Sequence, residues 1–135
     1  MWFTLWRGVL TEVYFPHVDR AQTRLLQLVF TDGESFLHCE SEDFETRVDR
    51  LQSTSQAFHY VSEHSEQGYA FEKTVIADPD LPCVLQRIRL LHGRTSNLRC
   101  YVLCNPHLAD SGTASEGCVE HANGRTTLIA NRADV

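Results

Sequence analysis

Six carboxylates could take part in acid–base chemistry: Glu12, Asp19, Glu40, Glu42, Asp43 and Glu45. Cleaving a glycosidic bond, for example, requires two such groups, one acting as acid and the other as base or nucleophile. Four of the six crowd into positions 40–45, a density that reads as a solvated acidic loop. Glu12 sits in a strand-like run, where an interface or a buried polar contact is the plainer reading. Nucleophilic catalysis has less to stand on. No Gly-x-Ser-x-Gly elbow occurs, and Ser111-Gly112 and Ser115-Glu116-Gly117 fall in a loop without strand-to-helix context. The seven histidines, at 17, 38, 59, 64, 92, 107 and 121, are scattered, with no His-Glu-x-x-His or Cys-x-x-Cys spacing. Most of them read as residues of hairpin tips and solvated faces. No glycine-rich loop opens a helix that could hold a phosphate. The expectation is no metal and no cofactor.

The densest set of groups able to stack or hydrogen-bond lies between two strand-like runs. Val9 to Phe15 is rich in β-branched and aromatic residues, and Pro16, which has no N–H for a sheet, ends it. Leu26 to Phe30 is a second apolar run, closed by the turn pair Asp32-Gly33. Between the runs lie His17, Asp19, Gln22, Thr23 and Arg24. A polar loop held between strands is a natural place for a working surface.

The elements that position this loop are strands. Trp2 to Leu5 reads as a first strand, with a bend at Gly8. Leu25–Thr31 and Ser35–Cys39 form a hairpin about Asp32-Gly33, and Thr46–Gln52 reads as a short edge strand. Phe58–Glu63 and Tyr69–Ala77 flank a polar tip. Cys83–Leu91 alternates in period two, with Arg87 and Arg89 marking a partly solvated face. Leu98–Cys104 follows, and Cys118–Ala122 pairs with Thr126–Ala130 across Asn123-Gly124, the favoured pair for a tight hairpin turn. No stretch carries a period of 3.6. The chain therefore reads as all-β, an antiparallel β-sandwich.

With 135 residues, 42% of them hydrophobic, the chain suits one domain or part of one and can build a core. The net charge of −6, without basic runs, argues against nucleic acid and anionic lipid as partners. No apolar run reaches the ~20 residues of a membrane helix, and the N-terminal Met-Trp-Phe-Thr-Leu-Trp reads as a strand and not as a signal peptide. Five cysteines, at 39, 83, 100, 104 and 118, leave at least one unpaired within the chain. Cys100 and Cys104 lie in one strand, roughly 13 Å apart and beyond the ~7 Å reach of a disulfide. Buried free thiols are expected, a weak lean towards a reducing compartment.

The motifs Gly8-x-Leu10-Thr11-Glu12-Val13-Tyr14-Phe15-Pro16-x-x-Asp19, Thr23-Arg24, Leu26-Gln27 and Val29-x-Thr31-Asp32-Gly33 make the chain recognisable. With Asp78-Pro79, Val84-Leu85, Arg87-Ile88-Arg89, Tyr101-Val102-Leu103, Pro106-His107-Leu108, Ser111-Gly112 and Gly117, it resembles the N-terminal β-domain of bacterial glucodextranases and glucoamylases, glycoside hydrolase family 15. It departs from the usual pattern at Leu25, where the family carries an acidic residue, and at Asp110 and Ser115, where it often carries asparagines. The resemblance implies part of a galactose-mutarotase-like supersandwich. It also implies a following (α/α)6 barrel that holds the catalytic glutamates and removes glucose from α-glucans with inversion. No catalytic residue carries over to this chain, which corresponds to the front part of the domain.

The resemblance gives the Pro16–Arg24 loop a role. Tyr14 or Phe15 can stack on a sugar, and Asp19 and Arg24 can hydrogen-bond hydroxyls. The expectation is that these four residues face the barrel or its carbohydrate. Two other readings compete. An independent carbohydrate-binding module would need an exposed aromatic platform, with Trp2, Trp6, Tyr60 and Tyr69 as candidates. A sugar-epimerase-like enzyme would need a His and a Glu converging in a groove.

Overall fold

The computed structural model describes residues 1–51, 57–93, 97–108 and 115–132. Eleven strands occur among them, and every pairing is antiparallel. In chain order they are β1 (Trp2–Trp6), β2 (Val9–Tyr14), β3 (Ala21–Thr31), β4 (Leu37–Cys39), β5 (Glu45–Arg50), β6 (Ala57–His64), β7 (Tyr69–Ala77), β8 (Val84–His92), β9 (Arg99–Pro106), β10 (Ser115–Ala122) and β11 (Arg125–Arg132).

The long strand β3 organises the first sheet. β9 runs along it from Thr23 to Thr31. β2 and β4 share its other edge, β2 against residues 21–26 and β4 against residues 29–31. β1 pairs with β2. The second sheet is a meander, β5-β6-β7-β8. β10 and β11 form a separate two-stranded ribbon.

Turn chemistry explains the short connections. Arg7 and Gly8 both take positive φ (50° and 87°), as do Asn123 and Gly124 (53° and 73°), the geometry that tight hairpin turns demand. Between β3 and β4 the Asp32 carboxylate accepts backbone N–H groups from Glu34, Ser35 and Phe36, at 2.9, 2.8 and 3.3 Å. The Ser35 hydroxyl also donates to this carboxylate, and that bond first, with the backbone amides after it, holds the Asp32 pKa well below the usual carboxylate range.

The two sheets meet on a core of Leu28 and Phe30 from β3, Phe44 from the β4–β5 connection, and Tyr69 and Phe71 from β7. The Phe30 ring lies 5.4, 5.5 and 5.0 Å from those of Phe44, Tyr69 and Phe71. At the other end Phe3 meets Phe58 edge-on at 6.4 Å. Each such side chain contributes about 1.5–3 kcal/mol by leaving water.

Several expectations need correction. The strand after the loop begins at Ala21 and not at Leu25, because buried Ala21 pairs with Tyr14 and pulls residues 21–24 into the sheet. The cysteines are all free, but Cys100, Cys104 and Cys118 are exposed and Cys39 and Cys83 half-buried. The reason is that β9 and the β10–β11 ribbon present uncovered faces: Tyr101, Val102, Leu103, Val119 and Leu128 are all exposed too. The acidic stretch is not uniformly solvated. Glu42, Asp43 and Glu45 are exposed, but Glu40 is fully buried. Ser115-Glu116-Gly117, expected in a loop, opens β10 because it pairs with residues 130–132 of β11; Ser111-Gly112 and the polar turn at 53–55 lie outside the described residues.

Candidate functional site

The β2–β3 turn is tightened by its own backbone. Phe15 N–H donates to the Arg20 carbonyl and Arg20 N–H to that of His17, both at 3.1 Å. The register between β2 and β3 slips at Val13/Tyr14, and that between β3 and β9 slips between Thr23 and Leu25. Gln22 sits at the first irregularity. Its side-chain amide donates to the Phe15 carbonyl at 2.6 Å, and its own carbonyl accepts His107 N–H at 2.9 Å. Arg24 sits at the second and is exposed. Bulges of this kind bend a strand and re-aim a side chain.

Around this turn Tyr14 is half-buried, while Phe15 (41%), Asp19 and Arg24 are exposed. Tyr14 ends β2, Phe15 and Asp19 belong to the turn, and Arg24 belongs to β3. No hydrogen bond or ion pair joins Asp19 to Arg24 among the described residues. The Tyr14 hydroxyl donates to Glu12 of its own strand at 2.5 Å, so Glu12 is a polar contact of the sheet face.

Next to this turn lies the face shared by β1 and β2. Trp2, Thr4 and Trp6 occupy alternate positions of β1, with Trp2 46% and Trp6 54% exposed. Trp2 stands opposite Tyr14 and Thr4 opposite Glu12. Thr4 and Thr11 share a hydroxyl hydrogen bond of 2.8 Å, and Arg7 lies 5.5 Å above the Trp6 ring. The four platform candidates therefore divide. Trp2 and Trp6 are open to a ligand or partner, whereas Tyr60 and Tyr69 belong to the interior.

Two buried polar groupings were not legible as such in the sequence. Glu40 forms an ion pair with Lys73 of β7, both side chains fully buried. Leu28 N–H donates to the second Glu40 oxygen at 2.9 Å, and Glu40 N–H returns a bond to the Leu28 carbonyl at 3.0 Å. Burial pushes the Glu40 carboxyl up and the Lys73 ammonium down, and each charge opposes the shift of the other. The pair ties β3 to β7 through the middle of the sandwich. Its signal was the alternation of β7: Tyr69, Phe71, Lys73 and Val75 share one face, and all four are fully buried.

The second grouping sets His38 and His64 apart from the histidines of solvated faces, and His17, His92 and His121 are exposed. His38 of β4 and His64 of β6 stack with ring centroids 4.0 Å apart, and His64 and His107 are buried. Alternation again carried the signal, since Tyr60, Ser62 and His64 are the buried positions of β6. Elsewhere His59 lies 3.9 Å from Glu72, which also accepts a 2.7 Å bond from Arg89 of the neighbouring strand.

The sequence profile of the family described as glucodextranase, domain N, matches residues 1–135. The chain belongs to the glucodextranase domain N family. A glucoamylase from Clostridium sp. (strain G0005) is 28% identical to this domain N over 137 residues, covering 100% of the chain and 20% of the relative. The crystal structure of a bacterial glucoamylase complexed with acarbose superposes with a TM-score of 0.88 at 28% identity, over 97% of this chain and 20% of that one. The chain thus spans about a fifth of the length of these relatives and corresponds to the N-terminal β-domain of glucoamylase-type proteins. The expected fold class, an antiparallel sandwich of the supersandwich kind, agrees with both the strand pairing and the superposition.

Proposed function

We propose that this chain is the front part of a non-catalytic N-terminal domain that packs on, and supports, the helical (α/α)6 catalytic barrel of an α-glucan hydrolase. The observation that carries this reading is the family match over the whole chain, coupled with relatives named glucoamylase of which it spans only 20%. The exposed apolar residues of β8, β9 and the β10–β11 ribbon add support, because they are surfaces that further chain would cover. In this reading Tyr14, Phe15, Asp19 and Arg24 face the barrel near its carbohydrate. The short backbone-braced turn and the bulge at Arg24 give them a fixed direction. Asp19→Ala and Arg24→Ala, made in the domain joined to its barrel, are expected to lower either the rate of glucose release or the melting temperature. Unchanged kinetics together with unchanged melting would sink this assignment.

A second reading has one observation in its favour. Trp2 and Trp6, with Thr4, Thr11 and Glu12 between them, present stacking surfaces and hydrogen-bonding groups on one open face. That is the chemistry of an independent carbohydrate-binding module. Binding of maltoheptaose by the chain alone, lost in Trp2→Ala and Trp6→Ala, would favour it over the barrel-packing role. Absence of binding would leave barrel packing as the use of this face.

A further inference from the structure

The stacked pair His38–His64 lies where β4 of the first sheet meets the tip of the β6–β7 hairpin. The Phe36 ring stacks on His38 at 4.5 Å, and His64 on Tyr69 at 5.6 Å. The Phe44 ring meets His64 edge-on at 5.6 Å. The Tyr69 hydroxyl lies 2.8 Å from Nδ1 of His38. Burial raises the pKa of that hydroxyl, so it keeps its proton. His64 in turn organises the hairpin tip. Its Nδ1 accepts the backbone N–H of Gln67 at 3.3 Å, and its carbonyl accepts that of Gly68 at 3.0 Å.

This arrangement requires uncharged rings. A nitrogen that accepts an N–H cannot also carry a proton, so the Gln67 bond holds only while Nδ1 of His64 is bare. A cation on either ring would also desolvate against aromatic faces, and two cations at this spacing would repel. The groups facing the pair do not remove that conflict. Asp32, Asp43 and Glu66 attract a proton to His38, but burial and His64 outweigh them and hold His38 below its usual value. From β8, His92 lies 3.3 Å from the Gly68 carbonyl.

We infer that the His38–His64 stack is a pH-sensitive latch. With both rings neutral it holds the tip of the β6–β7 hairpin against β4, and protonation of His38 releases the tip. The tip lines a polar hollow of about 320 Å³ with Glu63, Ser65, Glu66 and Gln67, so release reshapes that hollow. This inference does not depend on the proposed function, because every contact in it lies within the chain.

Amide hydrogen exchange on the full chain tests it, with the protection of Gln67 and Gly68 read against that of the core strand residues Leu28 and Phe30. The open state binds more protons than the closed one, so opening gains with each step of acidity below the usual histidine value. One linked proton changes the equilibrium by up to ~10-fold per pH unit. Between about pH 7.5 and about pH 5, protection at Gln67 and Gly68 is expected to fall by roughly tenfold or more, with Leu28 and Phe30 little changed. His38→Phe keeps a stacking ring and removes its titration, and it is expected to flatten the response. Constant protection at the tip, or equal losses at tip and core, would overturn the latch. If a variant fails to fold, the wild-type exchange profile decides the matter alone.

Discussion

Replacing Lys73 with methionine removes the partner of Glu40 while keeping most of the side-chain volume. Both members of the pair are fully buried. Removing one leaves a buried charge without compensation, a loss of about 3–5 kcal/mol. The Glu40 carboxyl has an escape, which is to take a proton. Burial already raises its pKa, and in the variant no ammonium opposes that rise. The folded variant then holds a proton that the unfolded chain has released, over the window above the usual glutamate value of 4.5. A raised folded-state pKa gives stability that is full below the unfolded value and is lost as pH rises through the folded one. The loss in Lys73→Met should therefore be larger at about pH 8 than at about pH 5, by about 1.4 kcal/mol or more, the worth of one pKa unit. Urea unfolding followed by near-ultraviolet circular dichroism of the aromatic core would measure it at both pH values, with wild type run in parallel. The double variant Glu40→Gln/Lys73→Met keeps an acceptor for Leu28 N–H and removes both charges. It should be less destabilised than the sum of the two single variants by about 2 kcal/mol or more. A loss below ~1 kcal/mol, or one equal at both pH values, would refute the reasoning.

Other expectations follow from single contacts. A Cβ at Gly8, where φ is +87°, would sit 3.3 Å from the Glu40 carboxylate and 3.5 Å from the Tyr60 ring; Gly8→Ala should cost at least ~1 kcal/mol in urea unfolding. Phe71→Ala, in the ring cluster around Phe30, should cost about 3–5 kcal/mol by leaving a cavity. Asp32→Ala removes the acceptor of three turn amides and should lower the melting temperature at neutral pH. Its pKa is depressed in the fold, so that difference is present above the usual carboxylate value and shrinks as pH falls below it. The uncovered apolar residues of β9 and the β10–β11 ribbon should make the chain self-associate, with sedimentation coefficients that rise with concentration; a concentration-independent monomer with a sharp melt would contradict that.

Local chemistry made much of the fold legible. Asp32-Gly33 and Asn123-Gly124 mark their hairpins because those residue types tolerate the backbone conformations such turns require. Period-two alternation places β7 and β8 within a residue or two of their observed ends. What stayed hidden depends on partners distant in sequence. Nothing in the acidic run separates Glu40 from Glu42 until Lys73 is found opposite it. Likewise His38 and His64 show no shared motif, and only the packing of β4 on the β6–β7 tip brings them together. The boundary of β3 is hidden for a related reason. Gln22, Thr23 and Arg24 have the composition of a loop, but β9 and buried Ala21 draw them into the sheet. Trp2 and Trp6 cannot be told from Tyr60 and Tyr69 by residue type, and only burial divides them.

Glucose release from maltooligosaccharides tests the central claim most directly, measured with this chain alone and with this chain mixed with the separately produced helical barrel of a relative. The accessory-domain account predicts no release by the chain alone, and a higher rate or melting temperature of the barrel on mixing. Release by the chain alone would contradict it, and would turn attention to the carboxylates at Glu12, Asp19 and residues 40–45.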